Sequence, residues 1–252
     1  MKKGAAGKAV YRKEYSAYPW FLDRARFRFE IGDESTRVLA ELDVRHRSLA
    51  QGSGEPVAAD IELDGQDMEL VSVALDGTGL QPGQYTVSPD KLVVHGVPDS
   101  CQLAIEVRIR PQENTALEGL YPSGQFLLTQ CESEGFRKIC YFPDRPHVMS
   151  RYEVTLVADR ERYPVLLSNG NAVDSGQLQD GRHWVRWDDP LAKPCYLFAL
   201  VAGDLACVED HFRTRSGRDV TLRFYVEHGD EDKCGHAMES LIHAMKWDED
   251  RF

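Results

Sequence analysis

A chain of 252 residues with 42% hydrophobic and 28% charged residues has the make-up of a folded protein, which excludes disorder as its main state. That length suits one large β domain, or a medium domain with the start of a second. The 30 Lys and Arg against 41 Asp and Glu leave a net charge of −11, a balance that opposes nucleic-acid binding and mildly favours cationic ligands such as a peptide's free amino end.

In chain order, Met1 to Val10 carries Lys2 and Lys3 with no apolar stretch behind them, so it does not read as a secretory signal. Period-two alternation follows. Phe27, Phe29 and Ile31 alternate with Arg26, Arg28 and Glu30, and Val38, Ala40, Leu42 and Val44 with Arg37, Leu39, Glu41 and Asp43. Leu103, Ile105, Val107 and Ile109 form the clearest row. Each pattern predicts a strand with one apolar and one mostly polar face. Asp64-Gly65, Asp76-Gly77, Pro82-Gly83 and Asn169-Gly170 read as turns between such strands. The fold expected is mainly β, an antiparallel saddle or sandwich. The longest apolar run, Cys195 to Gly203, is too short to span a bilayer, so the chain is expected to be soluble and cytoplasmic, with no membrane partner.

The period changes near the end of the chain. After a strand at Val220 to Glu227, Met238, Leu241, Ile242 and Met245 fall at i, i+3, i+4 and i+7, a helical stripe for which Asp230 or Asp232 could supply the N-terminal cap. The chain stops at Phe252, directly behind this one strong amphipathic helix. An abrupt end of that kind is expected of a second domain that has only begun.

Side chains that could carry chemistry are few. His236 and His243 sit seven residues apart on the predicted helix, about 10 Å along its axis, too far to share one metal ion. No H-E-x-x-H, G-x-S-x-G or phosphate-binding glycine motif occurs. The six cysteines contain no C-x-x-C pair and read as reduced, mostly buried thiols. Trp184 and Trp187, three apart in a strand, should face opposite sides and serve packing. In Thr129 to Arg137, an extended backbone would bring Gln130, Glu132 and Glu134 to one side. A carboxylate beside an amide oxygen can receive an ammonium group, although spacing alone also fits a solvated polar loop.

Several segments, in order, resemble the N-terminal region of the gluzincin zinc aminopeptidases of bacterial aminopeptidase N type. They are Asn114 to Tyr121 (NTALEGLY), Thr129 to Glu132 (TQCE) with Glu134 to Arg137 (EGFR), Asp144 to Pro146 (DRP), Leu167 to Asn171 (LSNGN), Lys193 to Asp204 (KPCYLFALVAGD) and Lys246 to Glu249 (KWDE). The resemblance covers the chain from about Tyr11 to Phe252. It implies a β saddle or sandwich domain over residues 1–204, followed at 205–252 by the first strands and helix of a thermolysin-like catalytic domain. It implies a zinc exopeptidase acting on peptides with a free N-terminus, in which Gln130 and Glu132 bind the substrate's α-amino group. The zinc site, a G-x-M-E-N strand and a Tyr that stabilises the tetrahedral intermediate belong to the missing catalytic domain, so this piece alone is expected to bind no zinc and to be inactive. The other reading is a genuine short, non-catalytic binding module.

Family habit also implies a cis peptide at Glu132-Ser133 and a structural role for Asp144-Arg145-Pro146, with Pro146 opening a short helix. Glu132, where the leukotriene-hydrolase branch tends to carry a second Gln, favours the plain aminopeptidase branch. His147 and Cys140 depart from the usual pattern, which tends to have Asp and Thr there.

Overall fold

The alternating rows become the centre of a twisted eight-stranded sheet in a computed structural model that describes residues 11–47 and 59–252; the Met1–Val10 stretch lies outside those residues. The strands are β1 (Trp20–Ile31), β2 (Thr36–His46), β3 (Ala59–Asp64), β4 (Glu69–Leu75), β5 (Thr78–Gly79), β6 (Tyr85–Val87), β7 (Lys91–Val97), β8 (Ser100–Ile109) and β9 (Gly119–Ser123). After them come β10 (Phe126–Gln130), β11 (Ser150–Asp159), β12 (Val165–Ser168), β13 (Asn171–Gln177), β14 (Arg182–Lys193), β15 (Leu200–Gly203), β16 (Ala206–Arg213) and β17 (Asp219–Val226), then one long helix, α1 (Gly235–Arg251).

The large sheet runs β13-β14-β11-β1-β2-β8-β4-β5, beside smaller sheets β12-β15-β10-β9, β3-β7-β6 and β16-β17. The mainly β reading therefore holds, with one departure from antiparallel pairing. β1 and β11 run parallel, in register from Arg24↔Arg151 to Glu30↔Val157. A parallel pair needs a long crossover, and here residues 32–149, containing strands of two of the smaller sheets, supply it.

Phe27, Phe29 and Ile31, the β2 row and the β8 row are all buried, as the alternation predicts. A bulge between Leu22 and Arg24 shifts the pairing of β1 with β2. The extra residue changes the phase of β1, so Trp20 and Leu22 stay buried on the same side as Ala25, Phe27 and Phe29. The opposite face carries cross-strand ion pairs, among them Arg26 to Asp43 through both guanidinium nitrogens (2.8 and 2.6 Å) and Arg37 to Glu106 (2.5 and 2.9 Å). Partly exposed pairs of this kind contribute about 0.2–1 kcal/mol each, so the buried row dominates the sheet's stability.

Over the buried face lie Phe136, Phe142 and Phe198. Their rings contact Phe27 at centroid distances of 5.5, 6.2 and 6.2 Å, and Phe136 meets Phe142 at 5.0 Å. The segment after β10 is thus fastened to the large sheet by aromatic packing.

The turns divide by mechanism. Asp76 and Gly77 both have positive φ, 47° and 77°, between β4 and β5, a two-residue hairpin. Pro82-Gly83 is a turn closed by Gln84 N–H donating to Gln81 O at 3.1 Å. Asp64-Gly65 is not a hairpin turn. Asp64 exchanges backbone hydrogen bonds with Phe142 at 2.9 and 3.0 Å, and a Cβ on Gly65 would stand 2.2 Å from the buried Tyr141 ring.

β16, β17 and α1 build an apolar cluster of their own from Phe212, Leu222 and Met238, packed by Leu241, Ile242 and Met245. The helical stripe is therefore where the sequence predicts it, but the capping is not. A 3₁₀ turn at Glu231–Cys234 leads directly into α1, and neither Asp230 nor Asp232 caps it; Asp230 instead pairs with Lys233. Among the described residues no helix is long and apolar enough to cross a membrane.

Pro146 opens no helix. Val148 N–H donates to Arg145 O at 3.1 Å, which makes 145–148 a turn with proline at its second position. His147 leaves this turn to accept a hydrogen bond from Tyr18 N–H at 3.0 Å. Trp187 donates to Leu166 O at 3.2 Å, while Trp184 lies against Gly176 of the neighbouring strand, on the other face. Cys131, Cys140, Cys195 and Cys234 are buried free thiols; Cys101 is half-buried and Cys207 exposed.

Two predictions follow from this packing. Gly65→Ala should lower stability by about 1–3 kcal/mol through overpacking against Tyr141; an unchanged urea midpoint would contradict that. Burial, then the fields of Arg145 and Arg47, lowers the His147 pKa. A histidine with a lowered folded pKa contributes stability above its unfolded value near 6.5, and loses it as pH falls below that value. The drop in melting temperature from pH 7.5 to pH 5.5 should therefore be smaller in His147→Gln, which keeps an acceptor but does not titrate. Equal drops would exclude the role.

Candidate functional site: the turn after strand β10

The motif residues meet at one end of the β12-β15-β10-β9 sheet. Thr129, on β10, accepts from Leu200 N–H through its hydroxyl at 2.8 Å, which locks β10 to β15. Gln130 is the last residue of β10, opposite Gly119 of β9. The chain then turns, with Gly135 N–H donating to Cys131 O at 2.8 Å. This turn is tight enough that a Cβ on Gly135 would lie 2.4 Å from Gln130 O.

Glu132 stands on this turn, exposed to solvent. The backbone here is a turn, not a strand, so the extended alignment of Gln130, Glu132 and Glu134 does not form. Gln130 and Glu132 still come together, because the Gln130 side chain donates from Nε2 to Glu132 O at 3.1 Å. Only the amide NH₂ can donate to a carbonyl, so this bond leaves the Gln130 Oε1 acceptor uncommitted. Among the described residues no cation pairs with the Glu132 carboxylate. Glu134 is separated from the pair by its ion pair with Arg137 Nη2 at 3.2 Å. The Glu132-Ser133 peptide is cis, as family habit implies.

Cys131, between these two residues, points inward and is 2% exposed. Beneath it lies Asp144, 3% exposed, whose surroundings the sequence reading missed. One Asp144 oxygen accepts from Arg137 N–H at 3.1 Å and from Arg137 Nε at 3.0 Å; the other accepts from the Cys195 thiol at 3.1 Å. Asp144 N–H in turn donates to Asp64 Oδ2 at 3.1 Å. Burial disfavours the Arg137 charge, yet the hydrogen bond and field of Asp144 hold its pKa above the ordinary guanidinium value. Burial, reinforced by the Asp144 field, pushes the Cys195 thiol well above its ordinary range, so it stays protonated and can donate. The available signal was the acidic residue of Asp144-Arg145-Pro146 itself, directly behind the apolar run Ile139 to Pro143.

The other motifs hold the same end of the sheet. Asn169 donates to Leu197 O at 3.1 Å and accepts from Ala199 N–H at 2.7 Å, joining LSNGN to KPCYLFALVAGD. Asn114 donates to Glu118 O and Leu120 O at 2.8 and 2.9 Å, shaping the loop before β9.

Gln130 and Glu132 are both exposed on the surface. A cleft of about 510 Å³ lies elsewhere, lined by Phe126, Tyr163, Asp204, Glu227 and His228 among others, and does not include them. Among the described residues no group of three or more His, Cys, Asp or Glu side chains could hold a metal ion, so these residues do not fit a zinc site. What Gln130 and Glu132 offer is a free carboxylate and a neighbouring amide oxygen, the acceptors an ammonium group requires.

The chain is similar to known proteins over nearly its whole length. Residues 39–197 match the Peptidase M1 N-terminal domain. The chain is 48% identical to aminopeptidase N of Caulobacter vibrioides over 244 residues and 45% identical to that of Escherichia coli K12 over 245, in each case 97% of this chain and 27% of the relative. It thus spans about a quarter of the length of these relatives. A crystal structure of Legionella pneumophila aminopeptidase A in complex with aspartic acid superposes with a TM-score of 0.87 at 36% identity, covering 95% of this chain and 28% of that one. The M1 zinc metallopeptidase of Deinococcus radiodurans, as an E323A mutant bound to Tyr-Ser-Ala, shares the fold with a TM-score of 0.68 at 15% identity, over 84% of this chain and 48% of that one. Fold, motifs and matched residues lead to one conclusion: the chain belongs to the M1 peptidase family, and its residues 39–197 match that family's N-terminal domain.

Proposed function

We propose that this chain is the amine-anchoring part of a zinc aminopeptidase, with Gln130 and Glu132 receiving the α-ammonium group of a peptide substrate. The observation that carries the reading is an exposed Glu132 carboxylate, unpaired among the described residues, on a residue whose backbone carbonyl accepts from the Gln130 side chain at 3.1 Å. An ammonium held there fixes the end of the peptide relative to the scissile bond, so cleavage removes terminal residues and leaves internal bonds alone. Residues 1–204 form the N-terminal β domain and residues 205–252 begin the catalytic domain; the separate apolar cluster of β16, β17 and α1 supports that division. Zinc, with the activated water it supplies when bound, belongs to the catalytic domain, because the 252 residues contain no H-E-x-x-H.

In the full-length enzyme, Glu132→Gln should raise KM for aminoacyl-p-nitroanilides and lower kcat/KM about 10- to 100-fold, the range set by one lost charge-assisted hydrogen bond. Wild-type kinetics in that variant would sink the assignment. The 252-residue chain by itself should release no dye from the same substrates in the presence of zinc; zinc-dependent release would show that it holds a complete active site.

A further inference from the structure

We infer that Asp144 is a positioning residue for this amine anchor, acting through Arg137 on one side and the Cys195 thiol on the other. The inference rests on the reading of Gln130 and Glu132 just given and deepens it. Asp144 touches neither residue. It holds instead the two pieces of backbone that determine where they stand.

On the first side, both Arg137 bonds to the carboxylate fix the segment that follows the Glu132 turn. Arg137 also reaches back to Glu134 within that turn, and its carbonyl accepts from Gln66 N–H at 2.8 Å. On the second side, Cys195 opens the 3₁₀ turn Cys195–Leu197 that feeds β15. β15 pairs with β10 at Leu128↔Val201, and Leu200 N–H binds Thr129, the residue before Gln130. A buried carboxylate with donors from both sides therefore sets the spacing between the end of β10 and the turn that follows. Cys131 is the pivot between them and is buried in the same layer, so a shift at Asp144 has no slack in which to dissipate.

A residue holding the fold alone would change stability and leave substrate affinity untouched. Positioning predicts a different pattern, because a displacement of about 1 Å is enough to cost a large factor in rate or affinity. Cys195→Ala removes one donor while retaining the Arg137–Asp144 pair, and Cys195→Ser restores an O–H donor. In the full-length enzyme, Cys195→Ala should raise KM for L-alanyl-p-nitroanilide about tenfold with kcat within about twofold, and Cys195→Ser should return KM to within about twofold of wild type. A KM unchanged in Cys195→Ala, or equally raised in Ala and Ser variants, overturns the inference.

If Cys195→Ala does not unfold cooperatively, Arg137→Lys is decisive. It keeps the charge and the backbone N–H bond but loses the planar fork, and should raise KM at least fivefold; an unchanged KM overturns the inference. Glu132→Gln, run in parallel, separates the two levels. A normal KM in Glu132→Gln overturns the anchor and this inference with it, whereas a raised KM there beside a normal KM in Cys195→Ala overturns the positioning role alone.

Discussion

A carboxylate inside an apolar layer has to be compensated, and Asp144 is the place where this fold meets that requirement. An unpaired charge there would cost several kcal/mol, so its oxygens must be met by donors in fixed positions. Arg137 supplies a guanidinium and a backbone N–H, and Cys195 supplies a thiol that burial keeps protonated. Because those donors come from segments about sixty residues apart in sequence, satisfying Asp144 assembles three stretches of chain at once. They are the segment that follows Glu132, the turn that feeds β15 beside the end of β10, and the segment of Asp144 itself, whose backbone N–H also donates to Asp64 at the end of β3.

The large sheet supplies the base for this assembly. Its buried face presents Phe27 and Phe29 to Phe136, Phe142 and Phe198, so the polar node forms against a rigid aromatic floor. Low dielectric strengthens the Asp144 bonds and raises the cost of breaking any of them. The surface above is the reverse. Glu132 keeps its carboxylate in water, where its charge costs little. Rigid support below and an unsatisfied acceptor above is the arrangement expected of a preorganised binding group.

Much of this was legible in the sequence, for identifiable reasons. Strand rows such as Leu103 to Ile109 and the helical stripe from Met238 to Met245 are local patterns, and burial follows their period directly. Asp76-Gly77 is legible because positive φ at both positions demands such residues. Asp64-Gly65 has the same letters for a different cause, the Tyr141 ring, which is a long-range contact and invisible to local pattern. The parallel β1–β11 pair and the Asp144–Cys195 bond are likewise set by tertiary topology. Gln130 and Glu132 are singled out as an anchor only by resemblance to a family. On spacing alone they fit an extended run or a solvated loop; the chain in fact turns between them, and a side-chain bond, not strand alternation, brings them together.

The most direct test of the amine anchor is a structure of the full-length protein with a peptide bound. The account predicts the terminal ammonium nitrogen within about 3.2 Å of a Glu132 carboxylate oxygen, with Gln130 Oε1 as a second acceptor. An ammonium group bound elsewhere, with Glu132 still facing open water, would contradict it.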